Sequence, residues 1–394
     1  MNGSFVLVGF LWDFLNFILI FFSLFFLNKK NYLDVKDLIL YSIFLITPFF
    51  FNNILFDWTK FYDQSQYLFN ARESRNYILQ LGNFFKDSSY DFNDFNTVFF
   101  VSILFSIMIP FNLETVNSIA FCSKALFIWS LIYINYKEKI PLILKFFFLF
   151  SPSVILFSSL SLKDLLVATI MILSFYFLYQ NKIYQILIGV ILLFYLYLIK
   201  FQNFFLVVFA YTFYFFFKYL KKNPRHFVVL FILALIILFF QYENILEKIL
   251  YQINFYKFGF FIEEYGEYKN SAANLTFEEY QLYLNWELVP KVLNAFFAHL
   301  FLTAESNNDY YFIFFVNIKL IVNMIFLTII FFSFYKKNPA NTIFWGANLL
   351  LSIFLYSLII FNKMTIIRYE FPLILFYLFC LFLTNKRDSK KSYK

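Results

Sequence analysis

Between Asp57 and Arg75 the chain gathers residue types that could work together: Asp57, Asp63 and Tyr67, then Arg72, Glu73, Ser74 and Arg75. A helix here puts Asp63 and Tyr67 on one face and stacks Arg72 and Arg75 about one turn apart. A carboxylate beside two guanidinium groups can accept a hydroxyl proton while the cations grip phosphate oxygens bidentately. The competing reading is a solvated amphipathic helix with surface ion pairs. Scarcity favours the chemical one. The chain has five arginines against 27 lysines, and Arg72, Arg75 and Arg368 all fall outside its lysine-rich breaks.

A second stretch, from Ser151, Pro152 and Ser153 through Ser158, Ser159 and Ser161 to Lys163 and Asp164, interrupts two apolar runs with polar groups. Such groups are tolerated at membrane depth only against protein or a water-filled cavity. Lys163 and Asp164 are therefore expected at a cavity mouth, with Asp164 as the alternative acid to Asp63. The rival is a helix hairpin with a charged turn. Lys200, in the short break around Phe201 and Gln202, and Arg368, between Asn362 and Pro372, would add positive charge for an anionic substrate. Arg368 could equally anchor at an interface beside Glu370. Asp13, inside the first apolar run, is either functional or a structural hydrogen-bonding group. His226 and His299 read as structural, and Glu263, Glu264, Glu267, Glu278, Glu279, Glu305 and Asp309 as a hydrated face.

The elements carrying these residues are set by composition. At 62% hydrophobic residues, 14% charged and a mean hydropathy of +0.69, no water-facing surface for 394 residues can be assembled, so the expected fold class is an all-α polytopic membrane protein. The 67 phenylalanines and seven glycines imply bulky helices with few small-residue seams. A net charge of +8 resides mostly in plain lysine breaks, which fits orientation in a membrane rather than nucleic-acid binding. Cys122 and Cys380 lie far apart, and no metal-ligand spacing, P-loop or dinucleotide motif is present. No metal or other cofactor is expected.

Eleven crossings are expected, near 5–27, 38–55, 117–134, 141–160, 165–180, 184–199, 203–218, 227–241, 311–334, 342–362 and 370–385. Lysine-rich breaks (Lys29, Lys30 and Lys36; Lys137 and Lys139; 218–226; Lys336 and Lys337; the tail from Lys386) mark the cytoplasmic side. The mixed breaks mark the other. The apolar segment 98–111 would invert every later loop if it crossed, so it is expected to dip in and return. Two large external loops, 56–97 and 242–310, complete the layout. The second has the aromatic and charged mixture of an interfacial amphipathic helix. No internal repeat is visible, which disfavours a transporter built of inverted halves, such as a lipid-linked oligosaccharide flippase.

In architecture, and in the acid, arginine and serine-lysine-aspartate elements above, the chain resembles the bacterial O-antigen polymerases. Asp63 and Tyr67 form an Asp-x-x-x-Tyr pattern similar to C-type membrane glycosyltransferases, whose external-loop acid is the base. The chain departs from the arginine-plus-distant-glycine pattern of some polymerase loops, since Gly82 follows Arg72 at a different spacing. The resemblance implies a glycosyltransferase of the bacterial inner membrane working on its periplasmic face. It would join undecaprenyl-diphosphate-linked oligosaccharides, with membrane lipid and a chain-length regulator protein as further partners. Asp63 or Asp164 would be catalytic. Tyr67, Arg72, Arg75, Lys163, Lys200 and Arg368 would bind substrate. The alternative within this resemblance is a C-type enzyme adding one sugar from a lipid-phosphate carrier.

Overall fold

The computed structural model describes residues 3–50, 62–81, 97–180, 182–222, 310–359 and 363–392. These residues form thirteen helices and no strand. Their order is α1 (Gly3–Lys29), α2 (Val35–Phe50), α3 (Tyr62–Leu81), α4 (Thr97–Ile107), α5 (Asn117–Glu138), α6 (Leu142–Phe150), α7 (Pro152–Ser159), α8 (Asp164–Tyr179), α9 (Ile183–Ile199), α10 (Phe201–Lys222), α11 (Tyr310–Tyr335), α12 (Pro339–Ile359) and α13 (Lys363–Ser392). The expected helix 227–241 and the loop 242–310 lie outside the described residues, apart from the start of α11.

Among the described residues, Gly9–Lys29 and Asn117–Glu138 are long and apolar enough to cross a membrane. A third candidate is α6 with α7, bent by 44°. The expected single crossing at 141–160 is thus a broken one. Its cause is local: Pro152 opens α7, and the residue before a proline is driven out of the helical region, so Ser151 is extended (φ −60°, ψ 139°). Shorter apolar helices include Asp164–Tyr179 and Ile183–Ile199.

The chain divides into two compact units. One comprises Met1–Phe204, Ser306–Trp345 and Ile374–Lys394, and the other Phe205–Glu305 and Gly346–Leu373. In the first unit, side-chain partners fix how the helices run. Asn117 meets Asp13 and Trp129 meets Ser23, so α1 and α5 run in the same direction. Phe49 packs on Phe121 and Phe44 on Phe127, so α2 runs against them. These pairings bring the breaks to two ends. At one, Asp37 meets Lys145 and Asn135, Glu138 meets Lys386, and Asn341 meets Asn385, close to Lys137, Lys139, Lys336 and Lys337 in sequence. At the other, Thr47 meets Ser159, Gln64 meets Ser161, and Lys200 meets Asp164. The unit therefore has a lysine end and a mixed end.

Few glycines did not prevent one close approach. A Cβ on Gly189 of α9 would stand 2.8 Å from Cγ of Leu178 in α8, so hydrogen at this position lets α8 and α9 pack tightly. That contact fixes the hairpin whose far end carries Asp164 and Lys200.

The segment expected to dip and return is α4. Tyr67 meets Ser102 and Arg75 meets Ser106, so α3 and α4 descend together. The turn after α4 sets Phe111 against Trp129, twelve residues into α5, before the chain climbs back to start α5 at Asn117. By that register α4 stops part-way along α5.

Candidate functional site

At the mixed end of the first unit, four segments converge. Asp164 occupies the first turn of α8, where the free N–H groups of the helix favour a carboxylate. Its Oδ1 lies 3.7 Å from Nζ of Lys200, and the two side chains are 0% and 5% exposed. Lys200 reaches it because the backbone leaves helical geometry for one residue between α9 and α10 (φ −160°, ψ 84°). Lys163, just before α8, is half-buried and donates to the carbonyl of Ile199 at 3.3 Å. Lys200 thus faces the acid, and Lys163, next to it in sequence, ties the start of α8 to the end of α9.

The third segment is α3. The Oε1 of buried Gln64 accepts the Ser161 N–H at 2.8 Å, while the Ser161 hydroxyl donates to the carbonyl of Val116. This brings together two stretches that the sequence singled out separately, 57–75 and 151–164. Gln64 is the residue that joins them. It is polar, wholly buried and next to Asp63 in sequence, yet nothing in its spacing marks it. Asp63 lies in α3, but its side chain is outside the described residues.

The two arginines of α3 part company. Arg72 is at the surface in an ion pair with Glu114 at 3.0 Å, the side chains 49% and 45% exposed. Arg75 instead turns its fork onto backbone: Nε donates to Ser106 O (3.0 Å), Nη1 to Phe111 O (2.5 Å), and Nη2 to Phe105 O (3.1 Å) and Met108 O (3.0 Å). Helix ends leave carbonyls without partners, and a helix stopping inside an apolar bundle must find them donors. Arg75 supplies these by using four of its five N–H groups. It serves here as a cap for α4, and the stacked arginine pair read from the sequence does not form. Tyr67 is also buried rather than open to a ligand, and its carbonyl accepts from Ser102 at 3.4 Å.

Asp13 resolves to the structural alternative. Its carboxylate accepts from the Thr115 hydroxyl and from Asn117 Nδ2 (2.7 Å), tying α1 to the start of α5. Asn16 adds to the same tie by exchanging hydrogen bonds with the backbone of Asn112. In the second unit, Arg368 of α13 is half-buried with its guanidinium carbon 5.7 Å from the Tyr369 ring centre.

Lys124 was missed by the sequence reading. It is wholly buried in α5, donates to Phe44 O (3.1 Å) and Ser158 Oγ (2.7 Å), and stands 3.4 Å from the centre of the Phe44 ring. A lone lysine in an apolar run was the available signal, the same one that marked Asp13. Comparison of the chain with protein-family models, with curated proteins and with solved structures finds no match.

Proposed function

We propose that the protein is a membrane-embedded glycan polymerase. In this reading it joins oligosaccharide repeat units carried on undecaprenyl diphosphate at the periplasmic face of the bacterial inner membrane, and the mixed end is its working end. The observation that carries the proposal is the tie at this end between α3, the helix that carries Asp63 and Arg72, and the segment leading to Lys163 and Asp164, with Lys200 paired to Asp164. Arg72, Lys163 and Lys200 supply positive charge there, which suits a diphosphate.

In the proposed reaction a base takes the proton from a hydroxyl of the acceptor's terminal sugar. The oxygen attacks the anomeric carbon of the donor glycan, and the carbon–oxygen bond to the carrier breaks. Undecaprenyl diphosphate leaves with the bonding electrons. Cations are needed where that negative charge develops. Arg72 is suited to this because its present partner Glu114 is exposed, and such a pair is worth at most about 1 kcal/mol, so a dianionic phosphate can displace it. Lys163 supplies a second charge. Asp164, with no exposed surface, acts through Lys200 as a positioning residue, which leaves the base role to Asp63.

The test is glycan chain length in a strain lacking the gene and complemented with variants at matched membrane levels. Asp63→Asn should abolish polymer and leave single carrier-linked repeat units, while Asp57→Asn keeps the ladder. Normal chain length from Asp63→Asn would remove the base assignment.

A further inference from the structure

The half-helix α7 is held by three of its serines, each bonded to a different helix of the first unit. Ser153 accepts from Asn323 of α11, Ser158 from Lys124 of α5 at 2.7 Å, and Ser159 shares a 2.7 Å hydrogen bond with Thr47 of α2. Just beyond its end come Ser161, bonded to α3 and Val116, and then Lys163 and Asp164. Because α7 is separated from α6 by the break at Ser151, its position is not dictated by the preceding helix. Side-chain ties must set it.

Among these ties Lys124 is the one whose donor is an ionisable amine. Its contacts are a backbone carbonyl, a serine hydroxyl and an aromatic face, with no carboxylate. A wholly buried amine without a carboxylate partner is costly, and inside an apolar bundle such a residue is by default a functional candidate. Leu or Met would fill the same space more cheaply. What the lysine adds is a strong, directional bond to the last turn of α7.

We infer that Lys124 is a positioning residue: through Ser158 it holds α7 so that Lys163 and Asp164 are presented to α3. This rests on the proposed function only for its effect on product. The mechanical part stands separately.

The experiment places a reporter cysteine at Lys163 and follows its reaction with N-ethylmaleimide in the detergent-purified protein. The native Cys122 and Cys380 are both buried, so the reporter signal is clean. Lys124→Met should raise the labelling rate about tenfold, the effect of losing one hydrogen bond that held a local structure closed. Lys124→Arg should restore most of the protection. Ser158→Ala, which keeps the lysine and its carbonyl bond, should move the rate in the same direction by a smaller factor and covers the case in which Lys124→Met fails to fold. In the background with Lys163 intact, Lys124→Met should also shorten polymer at unchanged protein level and unfolding temperature. Unchanged labelling in both Lys124→Met and Ser158→Ala overturns the inference. Faster labelling without any polymer from the native protein leaves the positioning role standing and refutes the polymerase reading.

Discussion

The two ends of the first unit use charge differently. At the lysine end two buried acids have matched cations: Asp37 with Lys145 at 2.6 Å and Glu138 with Lys386 at 3.2 Å, with the lysine side chains 12% and 24% exposed. These pairs join α2 to α6 and α5 to α13, and surface lysines surround them in sequence. At the mixed end Asp164 is fully buried against Lys200 with Lys163 next to it in sequence, while on α3 Arg72 pairs with an exposed glutamate and Arg75, farther along, is committed to carbonyls. Matched pairs staple helices. A loosely held cation such as Arg72 can be offered to an anion, and this contrast is why the proposed chemistry is put at one end.

The largest effect is expected where a charge caps a buried helix end. Arg75→Ala removes four hydrogen bonds from the α4 turn and should destabilise the protein by about 5 kcal/mol, so that it fails to accumulate. Arg72→Ala, three residues away, should leave thermal unfolding within about 1 kcal/mol of the native protein yet abolish long polymer. Equal behaviour of the two arginines, read by unfolding in detergent and by chain length, would erase the distinction between cap and ligand.

Next in size is the buried pair. Asp164→Asn leaves Lys200 buried without its acid and should cost about 3–5 kcal/mol together with polymer. Asp37→Asn at the lysine end should cost less, about 2 kcal/mol, because Lys145 is partly solvated, and should leave polymer length unchanged at matched protein level. Loss of polymer from Asp37→Asn alone would move the chemistry to the other end. The smallest effect sharpens the comparison further. Glu114→Gln releases Arg72 from the Glu114 carboxylate, so product should form as well as or better than in the native protein, with stability changed by less than about 1 kcal/mol.

Much of this was legible in the sequence because it depends on pattern. The all-helical class, the break positions and the separation of lysine-rich from mixed breaks follow from apolar run length and charge, and α4 stops part-way because its run is short and ends near Pro110. Asp164, Lys163 and Lys200 were singled out, and they do assemble. Their exposures could not be read, since burial depends on which helices pack around a break. The partners of Arg75 were illegible for the same reason: helical spacing stacks it on Arg72, but the carbonyls it binds come from a segment 30 to 36 residues later. Lys124 shows the converse. Its signal was present in the apolar run of α5, and only its partners, Phe44 and Ser158, give it a role.

The proposed activity, polymerisation of carrier-linked glycans, can be assayed with purified components. The direct measurement is to reconstitute the purified protein in lipid vesicles with undecaprenyl-diphosphate-linked repeat units as sole substrate, and to resolve the glycans by size. The account predicts a ladder at whole multiples of the repeat unit, with one undecaprenyl diphosphate released per joint formed, and no ladder from Arg72→Ala. Repeat units recovered at their starting size, or lengthened by one sugar only when a lipid-phosphate sugar is added, would contradict it.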